Sequence, residues 1–120
     1  MSRIVALSID DLLLGSRVRE GLRPYAVDLV AWKGPTADAG VECLLVSLHA
    51  RAGDPLETIR IAKESGCRVI AFAGHKESEL LASARFAGAD RVVANSSISE
   101  KLPEVFAAIG LPLSARPPCH

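Results

Sequence analysis

Short apolar runs of strand length alternate along this chain with longer segments of helical period. Between the runs, apolar residues such as Leu14, Val18 and Leu22 recur about one helical turn apart, which predicts a helix with one apolar face. The strand-like runs lie at 3–9, 27–32, 41–47, 68–73 and 92–94. Strands that alternate with helices form parallel sheets covered on both faces. The sequence therefore predicts a three-layer α/β fold around a five-stranded parallel sheet.

Helix boundary signals support this division. Asp54 followed by Pro55 is typical of a helix start, and Gly66 and Gly88 are typical of helix ends. The second crossover differs from the others because only the segment 33–40 separates the second strand from the third. A crossover with its helix usually needs about a dozen residues. We therefore expect the second helix to be shortened or missing.

Composition restricts the class of partner. Lysine and arginine together number 14, as do aspartate and glutamate, so the formal net charge is zero. This balance argues against nucleic acid or an anionic membrane as a partner. No apolar run is long enough to span a bilayer, and we expect a cytoplasmic protein. Cys43, Cys67 and Cys119 lack metal-ligand spacing and are interpreted as core residues or, near the C-terminus, a free thiol.

The chain is expected to contain one folded domain. Residues 1–110 carry the alternating pattern, and the segment 111–120 contains Pro112, Pro117 and Pro118. We expect this C-terminal segment to be a flexible tail.

Polar side chains follow the predicted strands at the edge where parallel sheets bind ligands. Asp10 and Asp11 follow the first strand, and His49 follows the third. Two adjacent carboxylates suit a hard divalent cation, with His49 as a further candidate ligand, and we expect any Mg²⁺ binding to be weak. An aspartate at a strand-to-helix junction is equally typical of a helix N-cap. Both interpretations stay open.

Four short motifs carry a resemblance to a known family. They are Ile9-Asp10-Asp11, Leu44-Leu45-Val46-Ser47-Leu48, Gly53-Asp54-Pro55-Leu56-Glu57 and Phe86-Ala87-Gly88-Ala89-Asp90. In this order and spacing they resemble the receiver domain of bacterial two-component signalling over about 3–109. The resemblance implies a flavodoxin-like, doubly wound sheet with strand order 2-1-3-4-5. It also implies that the acid pair Asp10 and Asp11 would hold Mg²⁺.

The departures from this family fall on its reactive positions. Ser47 stands where receivers carry the phosphorylated aspartate, and a neutral serine cannot form an acyl phosphate. Ala73 replaces the switch serine or threonine, and Asn95 replaces the lysine that neutralises the phosphate. The chain thus resembles an atypical receiver, or pseudo-receiver, with a degenerate phosphorylation site.

The expected function is that of a stand-alone regulatory module that acts by protein–protein contact without aspartyl phosphorylation. Its partner would be another protein or a second copy, bound on the face made by the helix at 77–87, the fifth strand and the last helix. The candidate contact residues are Lys76, Glu79, Arg85, Arg91 and Val105.

Two other functions are alternatives to this one. The first is a small-ligand or divalent-metal-binding module at the carboxyl edge of the sheet, opened by the lost second helix. The second is an enzyme, but no set of nucleophile, base and orienting residue assembles at the required spacing, so we expect no catalytic activity and no cofactor beyond weak Mg²⁺.

Overall fold

The computed structural model describes residues 3–32, 41–49 and 54–115. Five parallel strands form a single sheet of order β2-β1-β3-β4-β5, which confirms the predicted class and strand order. The strands are β1 (Arg3–Ser8), β2 (Val27–Ala31), β3 (Val41–Ser47), β4 (Arg68–Ala73) and β5 (Arg91–Ala94). The second crossover at 33–40, where a shortened or missing helix is expected, lies outside the described residues.

Helices flank the sheet, and the first two begin at aspartate N-caps. They are α1 (Leu12–Leu22), α2 (Pro55–Glu64), α3 (Ser78–Ala87), α4 (Asn95–Glu100) and α5 (Leu102–Ala108). The Asp11 side chain caps α1 by accepting from the backbone N of Leu13 and Leu14 at 2.9 and 3.1 Å. Gly88 ends α3 in the left-handed region at φ 112°, where a side chain would be strained. No helix in the described part of the chain is long and apolar enough to cross a membrane.

The sheet separates two apolar cores because successive residues of a strand point to opposite faces. Cys43 and Leu45 of β3 pack on the face covered by α1, α4 and α5. Leu44 and Val46 pack on the face covered by α2 and α3. The central strands β3 and β4 are almost wholly buried, as expected for a parallel sheet covered on both sides.

The helix α4 is an element that the sequence analysis did not predict. The chain turns helical at Asn95, directly after β5, and α5 then begins at Leu102. The sequence of α4, Asn-Ser-Ser-Ile-Ser-Glu, has a single apolar residue, Ile98, which is fully buried. Tertiary burial of this side chain therefore stabilises a segment of low intrinsic helix propensity.

The segment after α5 packs on the domain as far as the structure describes it. Leu111 and Leu113 contact the core beside α1 and α5, and Ala26 N donates to Ser114 O at 2.8 Å. Ala115 forms an antiparallel bridge with Tyr25. These contacts extend the folded domain to Ala115, past the boundary expected at residue 110. They form because the side chains of Leu111 and Leu113 pack against the apolar core. The rest of the expected tail, 116–120, lies outside the described residues.

Candidate functional site

The carboxyl edge of the sheet brings together the three positions at which the sequence departs from the receiver family. Ser47 ends β3, Ala73 ends β4 and Asn95 follows β5 directly, and these three strands are neighbours in the sheet. Asp10 and Asp11 follow β1, which pairs with β3 on its other side. All five positions therefore lie at the ends of adjacent strands, as expected from the sequence.

Ser47 is a buried hydroxyl at the centre of this edge. The residue is only 6% exposed, and its Oγ accepts a hydrogen bond from the backbone N of His49 at 3.3 Å. This contact is a local serine turn, which involves the main chain of His49 and not its imidazole. A hydroxyl in this setting is neutral and holds its proton, so it lacks the negative charge with which a carboxylate attacks a phosphoryl group.

The two positions beside Ser47 are also uncharged. Ala73 is fully buried, and its side chain is a methyl group with no polar atom. Asn95, the first residue of α4, has a buried Oδ1 with no hydrogen-bond partner in the described structure. An amide at this place can orient a polar group but cannot neutralise a phosphate.

The acid pair is exposed, and its second member is engaged by the helix. Asp11 serves as the N-cap of α1, which is one of the two functions considered for it. Asp10 and His49 are both exposed. Within the described residues, no group of three or more histidine, cysteine, aspartate or glutamate side chains is placed to hold a metal ion. The structure thus does not assemble Asp10, Asp11 and His49 into a three-ligand centre, and weak Mg²⁺ binding at the acid pair stays a prediction.

Four of the five predicted contact residues, Lys76, Glu79, Arg85 and Arg91, are exposed. The fifth, Val105, is only 5% exposed and packs mainly in the apolar core, so only a small part of its side chain reaches the surface where the sequence predicted a contact residue. It lies on the same helical face as Leu102 and Phe106, which turns it toward the sheet.

A cavity of about 210 Å³ opens beside this valine, at the outer edge of the sheet. We refer to it as the β5 groove. Its lining residues are Arg91, Val93, Ser97, Lys101, Glu104 and Val105. Of these, only Arg91 and Val105 are among the contact residues predicted from the sequence. The spacing of 97, 101 and 104 could have indicated one helical face, but only if α4 and α5 had been recognised as nearly continuous helices.

Large apolar side chains are exposed at two further places. Phe86, near the end of α3, is 97% exposed, and Leu12, the first residue of α1, is 90% exposed. Leu13 beside it is 64% exposed. Exposed side chains of this size are typical of contact surfaces when they occur together.

The two described thiols lie inside the domain on opposite faces of the sheet. Cys43 packs with the α1 side and Cys67 with the α2 side. Burial raises the pKa of the Cys43 thiol well above its ordinary value, and the nearby Asp90 carboxylate adds to this rise. Burial also raises the pKa of Cys67, with Lys63 acting in the opposite direction. Cys67 Sγ donates to Val41 O at 3.3 Å. Both groups are therefore protonated core residues.

The comparison with known proteins defines the class of fold. No protein-family model matches the chain, and no curated protein matches it in sequence. Among solved structures, it is similar to the signal receiver domain of an HD domain-containing protein from Pseudomonas fluorescens Pf-5. The TM-score is 0.76 and the identity 17%, over 91% of this chain and 88% of that chain.

Two other solved structures give the same result. FixJ-N matches with a TM-score of 0.74 and 14% identity, over 97% of this chain and 99% of that chain. The RcsB response regulator of Salmonella typhimurium matches with a TM-score of 0.71 and 17% identity, over 91% of this chain and 60% of that chain. The chain spans about 60% of the length of the first response regulators that it matches. It therefore has the receiver-domain fold of response regulators.

Proposed function

We propose that the chain is a pseudo-receiver, a signalling module that regulates a partner protein by direct contact and is not switched by aspartyl phosphorylation. The observation that carries this proposal is the buried, neutral Ser47 at the end of β3, where a phosphorylatable receiver has its acceptor carboxylate. Ala73 and Asn95 remove the two groups that would stabilise a phosphoryl group there.

The chemistry of phosphoryl transfer explains why these substitutions matter together. Transfer depends mainly on a positioned nucleophile and on positive charge that stabilises the negative oxygens of the transferred group. Ser47 supplies no carboxylate, and Asn95 supplies no charge. An acyl phosphate cannot form on a hydroxyl, so the high-energy product that drives a receiver between two states is absent from this edge.

The alanine at position 73, in place of the switch serine or threonine, supports binding of a partner protein without prior activation by phosphorylation. The side chain of Ala73 is fully buried and cannot hydrogen-bond, so it has no polar interaction to exchange when a signal arrives. The exposed residues of α3 and β5, among them Glu79, Arg85 and Arg91, are then available in the resting protein. No catalytic step is needed for such a module, because its output is the free energy of binding a partner.

Binding of beryllofluoride, which imitates a phosphoryl group on a receiver aspartate, tests the proposal. We expect fluorine NMR to show no bound beryllofluoride when the wild-type protein is mixed with BeF₃⁻ and Mg²⁺. A phosphorylatable receiver domain treated in parallel serves as the positive control. The variant S47D/N95K, which returns the carboxylate and the cation, is expected to gain a bound signal. A bound signal on the wild-type protein would contradict the proposal.

A further inference from the structure

The β5 groove is lined by charged side chains that form no ion pair in the described structure. Arg91 and Lys101 are exposed cations on two of its walls, and Glu104 is its single carboxylate. None of the three forms an ion pair within the part of the chain that the structure describes. The groove therefore carries a net positive charge that is free to interact with an anionic group.

Two valines line the groove beside its charged residues. Val93 projects from β5 on the same side as Arg91, because alternate residues of a strand share a face. Val105 contributes the remaining apolar surface, and Ser97 adds a hydroxyl. A group that fills the groove would thus contact these two valines as well as the cations Arg91 and Lys101.

The strand that borders the groove is one of the two edge strands of the sheet. In the described structure β5 pairs with β4 alone. Val92, Val93 and Ala94 are each partly exposed, whereas the corresponding residues of β4 are buried. An edge strand presents backbone donors and acceptors that can pair with an extended segment of another chain.

The size of the cavity favours a protein side chain over a free small molecule. At about 210 Å³ it is smaller than the range of about 300–1,000 Å³ typical of small-molecule pockets. That volume accommodates one or two amino-acid side chains. It also lies on a surface that is open at the strand edge, where the rest of an extended segment can continue.

From these observations we infer that the β5 groove binds an extended acidic segment of a partner protein. A carboxylate of the segment pairs with Arg91 and Lys101, and an apolar neighbour of that residue covers Val93 and Val105. The inference rests on the proposed function, since it names the chemistry of the partner that the module contacts. It goes beyond that function by assigning the partner's charge and conformation.

Amide NMR with matched peptides tests the inference. The probe is a blocked pentapeptide that alternates glutamate and valine, and its control replaces each glutamate by glutamine. We expect the glutamate peptide to shift amide signals of β5, α4 and α5, including those of Arg91, Val93 and Lys101. Binding should weaken as salt is added, because exposed charge pairs are screened.

Charge-reversed variants show whether the glutamate peptide binds in the β5 groove. R91E/K101E is expected to weaken the affinity for the glutamate peptide by about tenfold. R17E/R19E makes the same change of charge on α1, outside the groove, and is expected to leave the affinity close to that of the wild type. The salt titration on the wild-type protein provides a result that does not depend on a variant folding.

Three results would overturn the inference. They are equal binding of the two peptides, shifts that do not include the groove, and absence of shifts at millimolar peptide. None of them would contradict the proposal that the chain is not switched by phosphorylation. The peptide titration uses unphosphorylated protein, and the beryllofluoride experiment uses no peptide. Conversely, beryllofluoride bound to the wild-type protein would contradict the pseudo-receiver while leaving the groove's preference for acidic peptides as measured.

Discussion

The carboxylate of Asp90 binds the Nζ of Lys63 at 2.9 Å and accepts a hydrogen bond from the backbone N of Val69 at 2.7 Å. Asp90 lies in the loop that leads into β5, Lys63 lies in the last turn of α2, and Val69 lies in β4. One side chain therefore joins a helix, a strand and a loop on the same side of the sheet. Its side chain is 19% exposed, so the two contacts are only partly screened by water.

Removal of this carboxylate should destabilise the domain more than removal of its cationic partner. D90A leaves the N–H of Val69 without its acceptor and is expected to lower the free energy of unfolding by about 1–3 kcal/mol. K63A removes a partly exposed ion pair and is expected to cost at most about 1 kcal/mol. Urea denaturation of both variants measures the difference. A larger loss for K63A than for D90A would show that the ion pair, and not the backbone contact, dominates.

Truncation tests where the folded domain ends. A chain that ends at Gly110 loses the contacts of Leu111 and Leu113 with the core, as well as the hydrogen bond from Ala26 N to Ser114 O. We expect it to be about 1–3 kcal/mol less stable, since partly buried leucines return to water. A chain that ends at Ala115 keeps these contacts and is expected to lie within about 0.5 kcal/mol of the full chain. Equal stability of the two truncations, measured by thermal or urea unfolding, would contradict the assigned boundary.

Much of this architecture could be predicted from the sequence because it depends on local periodicity. Apolar runs and helical spacing identify the strands and α1, α2, α3 and α5, and a parallel sheet follows from their alternation. The helix α4 has no such pattern, since Ile98 is its one buried residue and only tertiary contact stabilises it. Resemblance to a known family located the carboxyl-edge positions Ser47, Ala73 and Asn95.

Contacts between residues that are distant along the chain could not be predicted from the sequence. The sequence does not show that Asp90 reaches both Val69 and Lys63, because these partners are distant along the chain. Nor does it show that Asn95 has a buried oxygen without a partner. Val105 was assigned to the surface from the family's contact face, although its place on the apolar stripe of the last helix indicates the core. The helical periodicity therefore predicts the burial of Val105 better than the family resemblance does.

The thiols should distinguish the folded from the unfolded protein. In a C119S background, Cys43 and Cys67 are the remaining cysteines, and both are buried with raised pKa. We expect neither to react with a thiol reagent at neutral pH until the protein is unfolded, because the reactive thiolate is suppressed and access is blocked. Their placement on opposite faces of the sheet also disfavours a disulfide between them. Absorbance after addition of Ellman's reagent, with and without urea, checks this; rapid reaction of the native C119S protein would contradict it.

Alkaline pH should weaken the fold through Cys43. Because the pKa of this thiol is raised in the folded state, the unfolded chain loses its proton first as pH rises. The contribution of the thiol to stability is fully present below its unfolded pKa of about 8.5 and is lost as pH rises above that value, by up to about 1.4 kcal/mol per pH unit. The variant C43A lacks this contribution and leaves the other titrating groups in place.

Unfolding measurements on the two proteins across alkaline pH isolate the effect of that thiol. The wild-type protein is expected to be more stable than C43A at neutral pH, because the smaller side chain leaves a void in the core. This advantage should shrink as pH rises from about 8 to about 10. A constant difference between the two proteins across this interval would show that Cys43 does not titrate differently in the folded and unfolded states.

The proposal that this chain is not phosphorylated as receivers are is tested most directly by intact mass after incubation with acetyl phosphate and Mg²⁺. A phosphorylatable receiver domain in the same reaction confirms that the donor is active. With Ser47 at the acceptor position and no cation at Asn95, this chain is predicted to keep its unmodified mass. A phosphoryl adduct that hydroxylamine removes, as it removes acyl phosphates, would contradict the account.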